Sequence, residues 1–116
     1  MAGSYRDLVV WQRSIELSVA VYRLTKAFPA DERYGLTAQL RRAAVSVVSN
    51  IAEGYGRGTK GEYRQFVGVA RGSALEIQTQ LVIAQELGMA ADRDLEATAA
   101  LADEVGKMLW ALFRRL

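Results

Sequence analysis

Six cations, Arg41, Arg42, Arg57, Lys60, Arg64 and Arg71, are the side chains of this sequence whose type and spacing suit them to hold a ligand. Arg57 and Lys60 flank a glycine-rich turn (Gly54, Gly56, Gly58 and Gly61) that leads into a helix N-terminus, where free backbone amides favour phosphate. Arg64 and Arg71 are seven residues apart and share one helix face. Guanidinium groups pair bidentately with phosphate, so the set suits a nucleic-acid backbone. The alternative is a solvated face whose arginines pair with Glu53, Glu62 and Glu76. The GYGRG segment lacks the Gly-Lys-Ser/Thr of a nucleotide-binding phosphate loop, which argues against that chemistry.

A second constellation lies on the segment Leu36 to Arg57. Arg42, Ser46, Ser49, Glu53 and Arg57 recur at three- and four-residue spacing and form a polar stripe, with Asn50 at its border. Serine nucleophiles need a base, and the chain has no histidine and no lysine near these serines. Ser46, Ser49, Asn50 and Glu53 are therefore read as hydrogen-bonding groups that fix register between helices or subunits. No catalytic residue is assigned.

Composition narrows the chemistry further. Among 116 residues there is no cysteine and no histidine, which removes disulfides, thiolate chemistry and the usual zinc ligand sets. No metal or cofactor is expected. The N-terminus lacks the basic-then-apolar pattern of a signal peptide, and no long apolar run suggests a membrane span, so a cytoplasmic protein is expected. From Arg33 to Arg71 there are seven basic residues against two acidic ones; from Ala90 to Glu104 there are five acidic against one basic. One half of the molecule is expected to be positive and the other negative.

The elements that must position these groups read as helical throughout. The spacing predicts a first helix from about Asp7 to Ala27 with Asp7 as its N-cap. Two apolar stripes on it (Leu8, Trp11, Ile15, Val19, Tyr22 and Val10, Leu17, Val21, Leu24) imply packing on both sides, inside a bundle or in an oligomer. Pro29 breaks it, and Asp31 with Glu32 can open a new first turn. The second helix carries Leu36, Leu40, Ala43, Val47, Ile51 and Gly54 toward the core. Thr59 and Glu62 fit a capping box for a third helix from about Lys60 to Leu87, with Gly88 as its C-cap. A fourth runs from about Asp92 to Arg115, acidic at its start and basic at its end, as the helix dipole favours. Trp11, Tyr22, Tyr63, Phe66 and Trp110 are read as core or interface aromatics, and Gly68 and Gly72 as sites of close helix approach. Four helices with short connections and no strand pattern imply an all-α, antiparallel up-down-up-down four-helix bundle, a single domain spanning 1–116.

The segments DLVVWQRSIEL, FPADERYGLTAQLRRAAVSVVSNIAEGYGR and FVGVARGSALEIQTQL resemble the bacterial four-helix bundle proteins encoded in intervening sequences of 23S ribosomal RNA genes. That family also includes the accessory variability determinant of diversity-generating retroelements. Arg41, Arg42, Ser46, Ser49, Asn50, Glu53, Gly54 and Arg57 match its characteristic block. The resemblance implies a homopentameric barrel and, in the retroelement branch, binding of nucleic acid and a reverse transcriptase through a positive surface. Val48 stands where many members have proline, which implies a less kinked second helix.

Together these readings give a non-enzymatic oligomeric bundle that binds structured RNA or DNA, or a nucleic-acid enzyme such as a reverse transcriptase, through its basic surface. The alternative is a self-assembly or protein-interaction module with no nucleic-acid ligand.

Overall fold

The helical periodicities become four helices in the computed structural model, which describes residues 3–116. These are α1 (Val9–Thr25), α2 (Leu36–Gly56), α3 (Lys60–Glu86) and α4 (Asp92–Arg115). Each helix packs on its neighbour in sequence, and α1 closes the ring against α4, while the diagonal pairs do not meet. The result is an antiparallel up-down-up-down bundle of 43 × 23 × 20 Å. Its long dimension is set by α3, whose 27 residues span about 40 Å at 1.5 Å per residue. There is no strand among the described residues, and no helix is long and apolar enough to cross a membrane.

The α2 stripe read from the sequence is buried in full: Leu36, Leu40, Ala43, Val47, Ile51 and Gly54 all face the core. They meet Leu17 and Val21 of α1, Val67, Ala70, Ala74 and Ile77 of α3, and Leu95, Val105 and Leu109 of α4 in one apolar cluster. Gly54 lets α2 and α3 approach closely. A Cβ there would lie 2.7 Å from the Phe66 Cβ and 3.3 Å from the Tyr63 carbonyl oxygen. α2 runs unbroken through Val48.

Helix boundaries follow the polar groups available at each end. Thr59 caps α3, its hydroxyl accepting from the Glu62 amide (3.2 Å) while the Glu62 carboxylate reaches back to the same hydroxyl. Gly88 takes φ +65°, and the Met89 amide folds back to the Ala84 carbonyl, closing the end of α3. Asp7 is not the N-cap of α1. It sits in a 3₁₀ turn, Tyr5–Asp7, which Ser4 caps, and α1 starts at Val9 with no side-chain cap. Glu32 ends another 3₁₀ turn and accepts the Leu36 amide at 3.0 Å, anchoring the start of α2.

The two α1 stripes differ in burial. Val10, Leu17, Val21 and Leu24 are buried; of the other stripe Leu8 and Trp11 pack against the core while Ile15, Val19 and Tyr22 are exposed, so within the protomer α1 packs chiefly on one side. Tyr22 and Trp110 are each 42% exposed and are not core residues, whereas Trp11 and Tyr63 pack against the core. Gly68 approaches Phe113, but Gly72 faces open space, so only one of these two glycines marks a close helix approach within the protomer.

Candidate nucleic-acid interface

The six candidate cations fall into three places on the bundle. Arg41, on α2, turns toward α1. Its Nε donates to Thr25 Oγ1 (2.8 Å), one Nη donates to the Tyr22 carbonyl (3.3 Å), and the guanidinium lies over the Tyr22 ring. It satisfies acceptors at the C-terminal end of α1, where a positive charge also complements the helix dipole. Arg42 projects from the outer face of α2, exposed and without an ion pair among the described residues.

Arg57 and Lys60 sit at the α2–α3 turn. Arg57 Nε binds Glu62 at 2.9 Å and its Nη1 lies 3.6 Å from Glu53, so one arginine engages both carboxylates of this turn. Lys60 is exposed, in the first turn of α3, with no carboxylate partner. Arg64 and Arg71 follow on α3 and face α4. Arg64 lies 3.9 Å over the Phe113 ring and Arg71 4.5 Å over the Trp110 ring. A guanidinium held flat on a ring keeps its edge N–H donors available for phosphate while losing less side-chain freedom on binding.

Antiparallel packing adds two cations that the sequence reading assigned only to the helix dipole. The last turn of α4 carries Arg114 and Arg115, at the same end of the bundle as the first turn of α3. Arg114 approaches Trp110, and the charge of Arg115 reaches Tyr63. Lys60, Arg64, Arg114 and Arg115 thus converge at one end, beside Arg57, and none of these four is ion-paired among the described residues. The opposite end mixes signs: Asp92, Asp94 and Glu96 open α4, beside Arg23 and Lys26 at the end of α1 and the Asp31–Arg33 segment. Charge is therefore graded along the bundle axis, with a basic end and an end of mixed sign.

The polar stripe splits as well. Ser46 and Ser73 share a hydrogen bond of 2.8 Å across the α2–α3 seam. Asn50 Nδ2 donates to the Ser46 carbonyl (2.8 Å) and hydroxyl (3.0 Å). Further along the seam Gln80 Nε2 donates to Gln39 Oε1 at 3.4 Å. Ser49 and Glu53 stay exposed on α2, and Glu53 pairs with Arg57. Among the described residues no group of three or more acidic side chains could hold a metal ion. Shifted ionisations lie elsewhere: burial raises the Tyr63 hydroxyl, and the Arg13 guanidinium holds Glu104 below its ordinary value across the α1–α4 seam.

Residues 6–111 match the model of the 23S rRNA-intervening sequence protein family. The chain belongs to that family. The same bundle is found in the crystal structure of a protein of unknown function from the S23 ribosomal protein family of Bacteroides thetaiotaomicron. The TM-score is 0.81 at 18% identity, over 90% of this chain and 98% of that one. At that identity the likeness is one of fold. No curated protein matches the chain.

Proposed function

We propose that this family member is a non-enzymatic bundle that binds the phosphate backbone of structured nucleic acid through its basic end and the adjoining α3–α4 face. The observation that supports this reading most directly is the pairing pattern. Glu53 and Glu62 are both engaged by Arg57, leaving Lys60, Arg64, Arg71, Arg114 and Arg115 without a carboxylate partner among the described residues. Uncompensated cations at one end focus a positive potential and favour counterion release from a polyanion. Arg41 is not part of this surface, because it lies toward the opposite end of the bundle and two of its donors hold the end of α1.

Five phosphate contacts give a salt slope, d log K / d log[salt], of about −4 to −5 on duplex DNA. Binding to structured RNA, duplex DNA and an RNA–DNA hybrid, followed by fluorescence anisotropy across a salt series, tests this. Each charge removed by Lys60→Ala, Arg64→Ala or Arg114→Ala flattens the slope by about one. A slope near zero, or one unmoved by the three variants, rejects the reading.

A second reading, self-assembly, is supported by a different observation. Ile15, Val19 and Tyr22 of α1 and Val45 of α2 are exposed apolar side chains on the outer α1–α2 face. Burying them against another copy would repeat the basic end around an oligomer and raise avidity for a long polyanion. Val19→Glu then lowers the sedimentation mass to that of one protomer. An unchanged mass, or a monomeric parent, rejects it.

A further inference from the structure

We infer that the groove between α3 and α4 around Trp110 is a binding site for an unpaired nucleobase, an assignment that rests on the nucleic-acid reading and names what that surface takes besides phosphate. The groove encloses about 210 Å³ and is lined by Arg71, Leu75, Gln78, Gly106, Lys107 and Trp110, together with Asp103. Its wall is a run of flat groups already arranged face to face. Trp110 and Phe113 stack with ring centroids 5.8 Å apart and planes 17° from parallel; Arg71 covers the first ring and Arg64 the second. Trp110 remains 42% exposed, and Leu75 beside it 45%.

Bases removed from a helix stack on aromatic rings and on guanidinium planes; Arg71 lies over Trp110, so a base stacks on the outer side of that guanidinium or takes its place on the indole as Arg71 turns to a phosphate. The floor adds a polar group of matching kind. Gln78 Nε2 donates to the Ala102 carbonyl at 3.3 Å, which turns its Oε1 into an acceptor without a protein donor, suited to an exocyclic amine. Gly106 makes room for that amide, since a Cβ there would lie 3.2 Å from Gln78 Nε2. Asp103 is held by Lys107 at 3.0 Å, so its carboxylate is partly neutralised beside the groove. The neighbouring cations favour this occupant over a second copy docked by the same face, which would bring the same positive charges against Arg71 and Arg114.

The test compares an oligoadenylate with an abasic strand of equal length and phosphate number. In the unaltered protein the base-bearing strand binds about 5- to 100-fold more tightly, the range expected for stacking one base on an aromatic platform. In Trp11→Phe, which leaves Trp110 as the single indole, the same strand quenches the remaining fluorescence and the abasic strand does not. Trp110→Leu removes the difference between the strands, with abasic binding weakened but measurable, since Arg71 and Arg114 lose the ring they rest on while Lys60, Arg64 and Arg115 remain. Equal affinity for both strands in the unaltered protein overturns the base site and leaves the phosphate reading standing. A difference that survives Trp110→Leu also overturns it, because the base then sits elsewhere. If neither strand binds at low salt, the phosphate reading fails, and the base site with it.

Discussion

Gly54→Ala and Gly72→Ala are the same chemical change in the last turn of α2 and the interior of α3, yet the structure gives them opposite signs. Removing the conformational freedom of a mid-helix glycine is a gain of about 1 kcal/mol at Gly72, and a smaller one at the helix end where Gly54 stands. At Gly72 the new methyl meets nothing within 4 Å, so that gain is realised. At Gly54 the methyl would stand 2.7 Å from the Phe66 Cβ and 3.3 Å from the Tyr63 carbonyl oxygen. These are atoms of, or next to, the α3 backbone and cannot swing away as the tip of a long side chain would, so α2 and α3 must separate. Overpacking of this kind costs about 1–3 kcal/mol. The propensity gain at Gly54 is no larger than that at Gly72, so the packing cost is the least their difference can be: Gly54→Ala is less stable than Gly72→Ala by at least about 1–3 kcal/mol. Reversible urea unfolding followed by circular dichroism reads this from the shift in midpoint at unchanged m-value. The two melting temperatures separate by several degrees for a chain of this size. Equal stability of the two variants would refute the close approach of α2 and α3. A loss of stability in Gly72→Ala at high protein concentration only would place that glycine against another copy.

Arg41→Leu lowers stability by about 1–2 kcal/mol through the lost hydrogen bonds to Thr25 and Tyr22, and leaves nucleic-acid affinity within twofold; a fall in affinity with unchanged urea stability would return Arg41 to the binding surface. Tyr63 holds its proton more tightly in the folded state because burial disfavours the phenolate, so its contribution is complete below the unfolded value of about 10 and is lost as pH rises through the higher folded value. Tyr63→Phe therefore flattens the alkaline limb of melting temperature between pH 9 and 11, and an identical limb in both proteins would contradict this.

Much of the bundle was legible because periodicity alone decides which face of α2 is buried, and because Thr59, Glu62 and Gly88 announce the ends of α3 through local chemistry. α1 shows where that logic stops. Its two apolar stripes are equally periodic, and a single chain contains neighbours for only one of them along its full length, so Ile15 and Val19 face outward. The binding surface was legible in part. Lys60 and Arg64 are close in sequence and close in space. Arg114 and Arg115 join them only because α4 returns antiparallel to α3, a tertiary fact that charge counting along the chain does not contain. Arg41 looked like its neighbour Arg42, yet one position around the helix separates an arginine facing Thr25 from one facing solvent. Helical spacing places Trp110 among core or interface aromatics without separating the two; it lies beside the buried α4 stripe, where Arg71 covers it.

An even number of antiparallel helices has a practical consequence for handling the molecule. The start of α1 and the finish of α4 lie at the same pole, the one rich in arginine, so a purification tag on either terminus would crowd the surface under test, and a polyhistidine or acidic tag would alter its field directly. The turn around Leu87 and Gly88, at the far pole and about 40 Å away by the length of α3, is the position where a fluorophore reports on binding without taking part in it.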